Sequence, residues 1–259
     1  MLEDAPCQTA NHHATFITMP GRYTLTRPPA EEDQFHPVIS QLKTSSNLKD
    51  KLYNIAPTQE NIVIRQLDME AGPEARLMRW GLIPSWAKTD SSQKLLINAR
   101  AETVAEKPSF KAAFHRRRCI VPADGFYEWK RKRDLNQPYY FQMADESVFY
   151  MAGIWESWRN EKDEAIESYL LLTTRPNSLV SKVHDRMPVI LQGDKLDSWL
   201  MGKPELFEAE QQADFFEPLP AKAMTGRPVS QAVNNASLDG PECLEAPKEE
   251  ATTQLDMGF

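Results

Sequence analysis

The sequence lacks the features that mark several common classes of protein. Only three of its 259 residues are cysteine, and Cys7, Cys119 and Cys243 are too scattered for a disulfide framework or a Cys-x-x-Cys zinc site. No stretch approaches the ~18 uncharged apolar residues of a membrane helix, and the first 18 residues lack the charged start and apolar core of a secretory signal. These absences predict a cytoplasmic protein with no membrane partner.

Motifs for cofactors and metals are absent as well. The chain contains no G-x-x-x-x-G-K-[ST], no G-x-G-x-x-G and no G-x-S-x-G pattern. The sequence therefore gives no evidence for a nucleotide-binding loop or for a serine hydrolase. Apart from His184, the histidines fall at no ligand spacing; they are His12, His13, His36 and His115. We therefore expect neither a cofactor nor a metal.

The net charge of −7 is concentrated at the two ends of the chain. Residues 1–18 contribute −2 and residues 237–259 contribute −5, so residues 19–236 are neutral overall. Such a domain can still carry a basic groove, because phosphate binding depends on where lysine and arginine are placed. The candidate sources are "RRR" at 116–118 and "KRKR" at 130–133, although each run alone is typical of a solvated face.

Composition divides the chain into three parts. Residues 1–18 show no sustained hydrophobic period, and residues 237–259 are acidic, contain proline and are poor in aromatic residues. Both ends are typical of disorder. We expect a disordered leader over 1–18, one domain over 19–236 and a disordered acidic tail over 237–259.

The central part reads as short strands separated by turns. Runs rich in β-branched and aromatic residues favour strands, and they are "NIVIRQL", "ARLMRWGLI", "CIVPADGFYEW", "PYYFQMA", "SVFYMAGIWES" and "SYLLLTT". Helical patterns are fewer, at "SFKAAFHRRR", "GDKLDSWL" and "PELFEAEQQADFF". Strands without a regular alternation with helices predict a single α+β domain on a mainly antiparallel sheet or open barrel, flanked by a few helices.

Polar and ionisable residues interrupt apolar runs in four stretches, where burial without a partner is costly. The stretches are "INARAE" with Asn98, Arg100 and Glu102, "ADGFYEW" with Asp124 and Glu128, "VHDRMPVI" with His184, Asp185 and Arg186, and "RPVSQAVNN" with Ser230, Asn234 and Asn235. Structural alternatives exist for each stretch. Glu128 could lie on the solvent face of a strand, His184 could cap a turn, and Asp185 and Arg186 could form a surface ion pair.

Together the four stretches are more specific than any one of them. A carboxylate and a histidine on different strands supply a general acid and base, while an amide and several arginines can orient a reacting group and bind phosphate. Trp80 ends a strand and is expected in the core. Trp86 lies in a Pro-bent loop beside Lys88 and is suited to stacking on an unpaired base.

Nine segments closely resemble, in the same order, the SRAP family, the SOS-response-associated peptidases that process abasic sites. They are "GRYTLT", "YNIAPTQ", "RWGLIPSWA", "INARAET", "CIVPADGFYEWK", "PYYF", "LLTT", "HDRMPVIL" and "RPVSQAVNN". The resemblance covers residues 19–236, and nine motifs in the family's order are specific although each alone is weak. It implies a β-rich α+β domain with a positively charged cleft for single-stranded DNA.

The resemblance also implies a chemistry of the DNA damage response. Members of the family capture abasic sites in single-stranded DNA through the aldehyde of the ring-opened sugar. Their domain begins Met-Cys-Gly-Arg, and removal of methionine frees a cysteine whose amine and thiol close a thiazolidine, a covalent protein–DNA linkage. By the same correspondence Glu128 and His184 transfer protons, and Asn98 positions the reacting end. Arg22, Trp86, Arg100 and Arg186 are the residues expected to bind DNA.

The first motif departs from the family at one position. Pro20 stands where the family has cysteine, and 18 residues precede Met19. If the working chain begins at Pro20, its secondary amine can form an iminium with an aldehyde, and a lyase or a transient crosslink is expected. If the chain stays intact, the nitrogen is an amide and only non-covalent DNA binding remains. A third interpretation is a recently diverged copy that has kept the rest of its site.

Functions directed at other proteins are the alternative class. The older interpretation of the family as peptidases needs the cysteine thiol as nucleophile, and this thiol is missing at residue 20. A non-enzymatic protein that recruits a partner through its acidic tail is a further alternative. Salt-dependent binding of single-stranded DNA separates the DNA-processing hypothesis from both. We expect the protein to be a monomer.

Overall fold

A computed structural model describes residues 20–67, 70–89, 95–131, 136–202 and 214–248. Within these ranges the chain forms a β-rich domain with four α-helices. The strands are β1 (Arg22–Leu25), β2 (Leu52–Ile55), β3 (Glu60–Arg65), β4 (Glu74–Trp80), β5 (Asn98–Arg100), β6 (Arg118–Ala123), β7 (Gly125–Arg131), β8 (Asn136–Met143), β9 (Phe149–Arg159), β10 (Ala165–Thr174), β11 (Met187–Pro188), β12 (Ile190–Leu191) and β13 (Met224–Pro228). The helices are α1 (His36–Ser45), α2 (Ala101–Val104), α3 (Pro108–Arg116) and α4 (Asp194–Met201).

Five strands close into a ring in the order β10, β4, β3, β6 and β9, with β9 returning to β10. The pairings in this ring are antiparallel except for β4 with β10. Three short strands extend it, because β5 and β11 pair with β10 and β12 pairs with β9. Both faces of the ring strands carry buried apolar side chains, such as Met78 on one face and Ile120 and Leu170 on the other, all of them at 0% exposure.

A second sheet has the strand order β13-β8-β7-β1-β2 and is antiparallel throughout. Side chains alternate along β7 as the pleat requires. Phe126 packs into the main core, whereas Tyr127 and Trp129 join Val233 and Cys243 in a smaller cluster on the other face. Strand β7 therefore separates two apolar regions, and its buried positions follow from the alternation.

The predicted α+β class with a mainly antiparallel sheet is confirmed, and its barrel part is a closed ring. All six predicted strand runs form strands, and "CIVPADGFYEW" contains two, β6 and β7. Helices α3 and α4 match two predicted helical patterns. The third pattern, "PELFEAEQQADFF", lies mostly outside the described residues. None of the helices in the described ranges has the length and apolar character needed to span a bilayer.

The chain continues to pack on the domain beyond the predicted boundary at residue 236. Asp239 accepts hydrogen bonds from the backbone N–H of Tyr53 at 2.6 Å and of Asn54 at 3.1 Å. Cys243 is fully buried in the cluster behind β7. The disordered tail predicted for residues 237–259 therefore does not begin at 237, because residues as far as Glu245 bond to the domain. Residues 249–259 lie outside the described ranges.

Candidate nucleic-acid and acid-base site

A hydrogen bond joins the start of β1 to β5, and so connects the two sheets. The side-chain amide of Asn98 donates from Nδ2 to the carbonyl oxygen of Pro20 at 2.9 Å. Asn98 is fixed at the first position of β5, which pairs in parallel with β10 opposite Leu171. Its other amide atom, Oδ1, is buried and has no hydrogen-bond partner among the described residues. The amide thus holds Pro20 with one end and presents an acceptor at the other.

Glu128 lies beside the same segment. Strand β1 runs antiparallel to β7 with Arg22 opposite Tyr127, so the chain that precedes Arg22 runs along Glu128 and Trp129. The side chain of Glu128 is fully buried. No side chain among the described residues donates to its carboxylate, and only a weak contact with the backbone N–H of Trp129 acts on it. The solvent-facing alternative is therefore wrong for this residue.

The surroundings of Glu128 favour its neutral form. Burial, followed by the negative charge of Asp185, raises the pKa of the Glu128 carboxyl well above its ordinary range. A carboxyl with a raised pKa keeps its proton to higher pH than an exposed one and is suited to donating it to a reacting oxygen. Since the charge of Asp185 contributes to this effect, the turn that carries it is within electrostatic range of Glu128.

His184 is held in that turn by contacts at its Nδ1 atom. The backbone N–H of Arg186 donates to Nδ1 at 3.1 Å, and Oδ1 of Asp185 lies 2.9 Å from the same atom. Burial lowers the pKa of His184 below its ordinary value, and the positive charge of Arg131 at the end of β7 lowers it further. The imidazole is therefore neutral at pH 7 and can accept a proton. The turn-capping alternative describes the contact to Arg186 and is compatible with this chemistry.

Arg186 is committed to partners within the protein. Its guanidinium forms a bidentate pair with Glu102, with both N···O distances 2.7 Å, and also donates to Thr173. The predicted surface pair between Asp185 and Arg186 is therefore replaced by a pair that ties the turn to α2. In this arrangement Arg186 connects the turn that bears His184 to α2, while its Nε is buried without a hydrogen-bond partner among the described residues.

Two other arginines have no carboxylate partner among the described residues. Arg22 donates from Nη1 to the carbonyl of Gly21 at 2.8 Å, its Nε is buried without a partner, and burial lowers its pKa. Arg100 is exposed at the end of β5, two residues after Asn98. Both cations therefore flank the contact between Pro20 and Asn98, which suits them to binding phosphate.

Two arginines of the first basic run noted in the sequence have partners within the fold. Arg117 pairs with Glu156 at 2.6 Å. Arg118 is buried and donates to backbone carbonyls, among them those of Trp199 at 2.6 Å and Phe114 at 3.1 Å. The run at 116–118 thus joins α3, β6 and α4, while residues 132 and 133 of the second run lie outside the described ranges.

The two tryptophans of "WGLIPSWAK" differ in burial as predicted. Trp80 is fully buried and donates from Nε1 to the carbonyl of Ile97, whereas Trp86 is 61% exposed. The loop that carries Trp86 is anchored where the backbone N–H of Ile83 donates to Oγ of Ser168 at 2.9 Å, near the start of β10. The same strand pairs farther along with β5, which bears Asn98.

Other polar residues from the four stretches support the fold. Asn234 accepts from Nε1 of Trp129 at 2.7 Å, and Ser230 caps the turn that follows it. Asp124 accepts three hydrogen bonds from Thr24 and Thr26. In the described ranges no group of three His, Cys, Asp or Glu side chains is arranged to hold a metal ion. From the sequence, Asp185 was expected only in a surface ion pair with Arg186. Its position next to His184 was the one sign of a chemical role.

Comparison with known proteins identifies relatives over nearly all of this region. The profile of the SOS response associated peptidase (SRAP) family matches residues 19–236. The abasic site processing protein YoqW of Bacillus subtilis (strain 168) is 35% identical over 235 residues, which are 88% of this chain and 100% of the relative. The abasic site processing protein YoaM of the same organism is 37% identical over 197 residues, 75% of this chain and 84% of the relative. A crystal structure of a protein from Bacteroides thetaiotaomicron aligns with a TM-score of 0.72 at 26% identity, covering 86% of this chain and 99% of that one.

Proposed function

Because the chain belongs to the SOS response associated peptidase (SRAP) family, we propose that it processes abasic sites in single-stranded DNA. The names of its relatives YoqW and YoaM, both abasic site processing proteins, support this function. The observation that carries it is the state of Glu128, which is fully buried, has no side-chain hydrogen-bond donor among the described residues and lies on β7, the strand that pairs with β1 just after Pro20. Burying a carboxyl without side-chain donors lowers the stability of the folded state. Groups with strongly perturbed pKa values are found preferentially at functional sites.

The proposed substrate is a single strand whose phosphates contact Arg22 and Arg100. Both guanidiniums lack a carboxylate partner in the described ranges, and each belongs to a residue two positions after one member of the Pro20–Asn98 contact. Trp86 is exposed on its loop and can stack on a base farther along the strand. Arg186, which is paired with Glu102, contributes to binding through the turn it orients.

The proposed covalent step requires a chain that begins at Pro20. The secondary amine of proline attacks C1′ of the open-chain aldehyde, and the carbinolamine loses water to give an iminium. Loss of a C2′ proton then breaks the C3′–O bond and releases the 3′ phosphate, and hydrolysis of the imine returns the free amine. Without a thiol at residue 20, no thiazolidine can form at this position. The outcome is lyase chemistry through a transient crosslink.

Glu128 and His184 have complementary roles in this step. Glu128, whose pKa is raised by burial, donates its proton to the ring oxygen as the sugar opens, or to the hydroxyl that leaves the carbinolamine. His184 is neutral and accepts a proton from the amine or from C2′. Asn98 fixes the carbonyl of Pro20 and thereby the position of the nitrogen of the same residue.

Borohydride trapping tests the proposal. Two forms of the protein, one beginning at Pro20 and the full chain, are mixed with abasic single-stranded DNA and reductant, and adducts are measured by denaturing electrophoresis. The shortened form is expected to give an adduct and the full chain much less. Pro20→Cys in the shortened form should give a stable adduct without reductant, which provides a positive control. Equal trapping by both forms would refute the role of the terminus.

A second candidate is non-covalent binding of abasic DNA by the intact chain. The observation in its favour is that residue 20 follows Met19 in the full sequence, so its nitrogen is a tertiary amide with no nucleophilic lone pair. Salt-dependent DNA binding without trapping by either form would support this candidate. The peptidase interpretation has less support, because burial raises the pKa of both thiols in the described ranges, Cys119 and Cys243.

A further inference from the structure

We propose that Asp185 is a positioning residue for the reaction, which orients the imidazole of His184 and stabilises its protonated form. The proposal rests on the function proposed above for the site. It is carried by the 2.9 Å separation between Oδ1 of Asp185 and Nδ1 of His184. Asp185 thereby acts on the chemistry through its neighbour, without contacting the DNA itself.

The contacts at Nδ1 are compatible with two tautomers of the neutral ring. In the first, Nδ1–H donates to Oδ1 of Asp185, 2.9 Å away, and Nε2 has the lone pair that accepts a proton from a substrate. In the second, Nδ1 accepts from the N–H of Arg186 at 3.1 Å and Nε2 already carries the ring proton. Asp185 favours the first tautomer, and it keeps the same hydrogen bond when Nε2 gains its proton.

Asp185 can supply a negative charge to His184 because its carboxylate is exposed to solvent, whereas the ring of His184 is largely buried. Its side chain is 79% exposed, against 18% for the side chain of His184. An exposed carboxylate costs little to keep charged, whereas a half-buried imidazolium needs a counter-charge. The pair therefore places the charge in solvent and the proton-accepting ring at the edge of the interior.

The charged groups around His184 come from three elements. The charges of Arg131 on β7 and Arg186 on the turn oppose protonation of the ring, whereas Asp185 and a backbone hydrogen bond of Arg186 favour it. The charge of Arg186 is offset in part by Glu102 on α2, and Glu128 on β7 is within electrostatic range of Asp185. Asp185 is therefore the one carboxylate among these described groups that directly contacts His184.

The test compares Asp185→Asn with wild type by two independent readouts. NMR titration gives the pKa of His184, whose signal is identified as the one missing from His184→Asn. Borohydride trapping over a pH series gives the pH profile of the form that begins at Pro20. Loss of the carboxylate should lower the pKa of His184 by about one unit, and the acid limb of the trapping profile should move by the same amount. Glu161→Gln, an equal charge change at an exposed hairpin residue, should move neither.

Each outcome decides the inference. An unchanged pKa of His184 in Asp185→Asn overturns it, and so does a slower reaction with an unshifted pH profile, since that result indicates a purely structural role. A lowered pKa supports it even if no form of the protein traps DNA. In that case the proposed function fails while the assignment of Asp185 stands.

Discussion

Asp124 and Glu128 are two fully buried carboxylic acids four residues apart in the same motif, and their surroundings differ completely. Asp124 accepts hydrogen bonds from Oγ1 of Thr24 at 2.5 Å, from N of Thr26 at 2.8 Å and from Oγ1 of Thr26 at 2.5 Å. Glu128 has no side-chain donor on either oxygen among the described residues, and only a weak contact with the backbone N–H of Trp129. Burial alone thus does not separate the two carboxyls, whereas the hydrogen-bond donors around them do.

The hydrogen-bond network around Asp124 requires a glycine at position 125. A Cβ there would lie 2.2 Å from the ring and hydroxyl of Tyr140. The close approach lets the Tyr140 hydroxyl reach Oγ1 of Thr24 at 3.0 Å and so complete the network around Asp124. The network pins the start of β7 to β1 and leaves the next interior positions, including Glu128, aimed between the sheets.

The largest predicted effect is on stability. Asp124→Ala leaves an N–H and two hydroxyls without their acceptor, and each buried unsatisfied group costs about 1–3 kcal/mol. Partial rearrangement of the two threonine hydroxyls lowers the total, so we expect a loss of roughly 3 kcal/mol. Urea denaturation at pH 7 measures it. A loss below ~1 kcal/mol would show that Asp124 is not the structural member of the pair.

The next effect is on the reaction. Glu128→Gln keeps the shape of the side chain but removes its transferable proton, so trapping by the form that begins at Pro20 should slow about 100-fold. Binding of single-stranded DNA, measured by fluorescence anisotropy, should stay within about twofold, because no phosphate contact is removed. If binding disappears together with trapping, Glu128 is structural and the contrast with Asp124 fails.

A smaller effect, with the opposite sign to that of Asp124→Ala, is expected for the stability of Glu128→Gln. In the folded chain the pKa of Glu128 is raised, so between its unfolded and folded values the folded state holds a proton that the unfolded state has released. Stability of the wild type therefore falls as pH rises through this window, by ~1.4 kcal/mol for each unit of pKa difference. The glutamine variant lacks this dependence.

Thermal and urea unfolding of the two proteins across pH 4–8 check this sign. The variant should match the wild type near pH 4 and exceed it progressively toward pH 8. A variant that is less stable than the wild type at pH 8 would mean that the ionised carboxylate has partners in solution.

Much of the fold follows from local sequence, but the state of the carboxylates does not. Strands such as β9 and β10 are long, β-branched and aromatic, and the run "CIVPADGFYEW" carries both β6 and β7. The short strands β5 and β11 have no local signal, because they exist through pairing with β10. Asp124 and Glu128 both interrupt apolar runs, and their difference is set by Thr24 and Thr26, which are about a hundred residues away in the chain.

Local sequence also does not predict which arginines are free to bind DNA. The run at 116–118 looks basic in the sequence, yet Arg117 is neutralised by Glu156 and Arg118 is buried among carbonyls. Arg186 looks available but is held by Glu102. Which cation is free depends on acids brought near by the fold, so the sequence predicts the candidates and the structure separates them.

The smallest predicted effect extends the comparison from carboxylates to cations. Arg100 is exposed without an ion pair in the described ranges, whereas Arg76 is 52% exposed at its side chain and pairs with Glu74 at 3.0 Å. Arg100→Ala should weaken binding of single-stranded DNA a few-fold and reduce the slope of log K against log salt concentration by about 0.7, the value for one phosphate contact. Arg76→Ala removes an equal charge and should leave the slope unchanged. If both variants reduce the slope equally, the net charge of the domain governs binding, and it does not matter whether an arginine is ion-paired. If only Arg100→Ala reduces it, a phosphate binds at the edge of β5, beside the amide that holds Pro20.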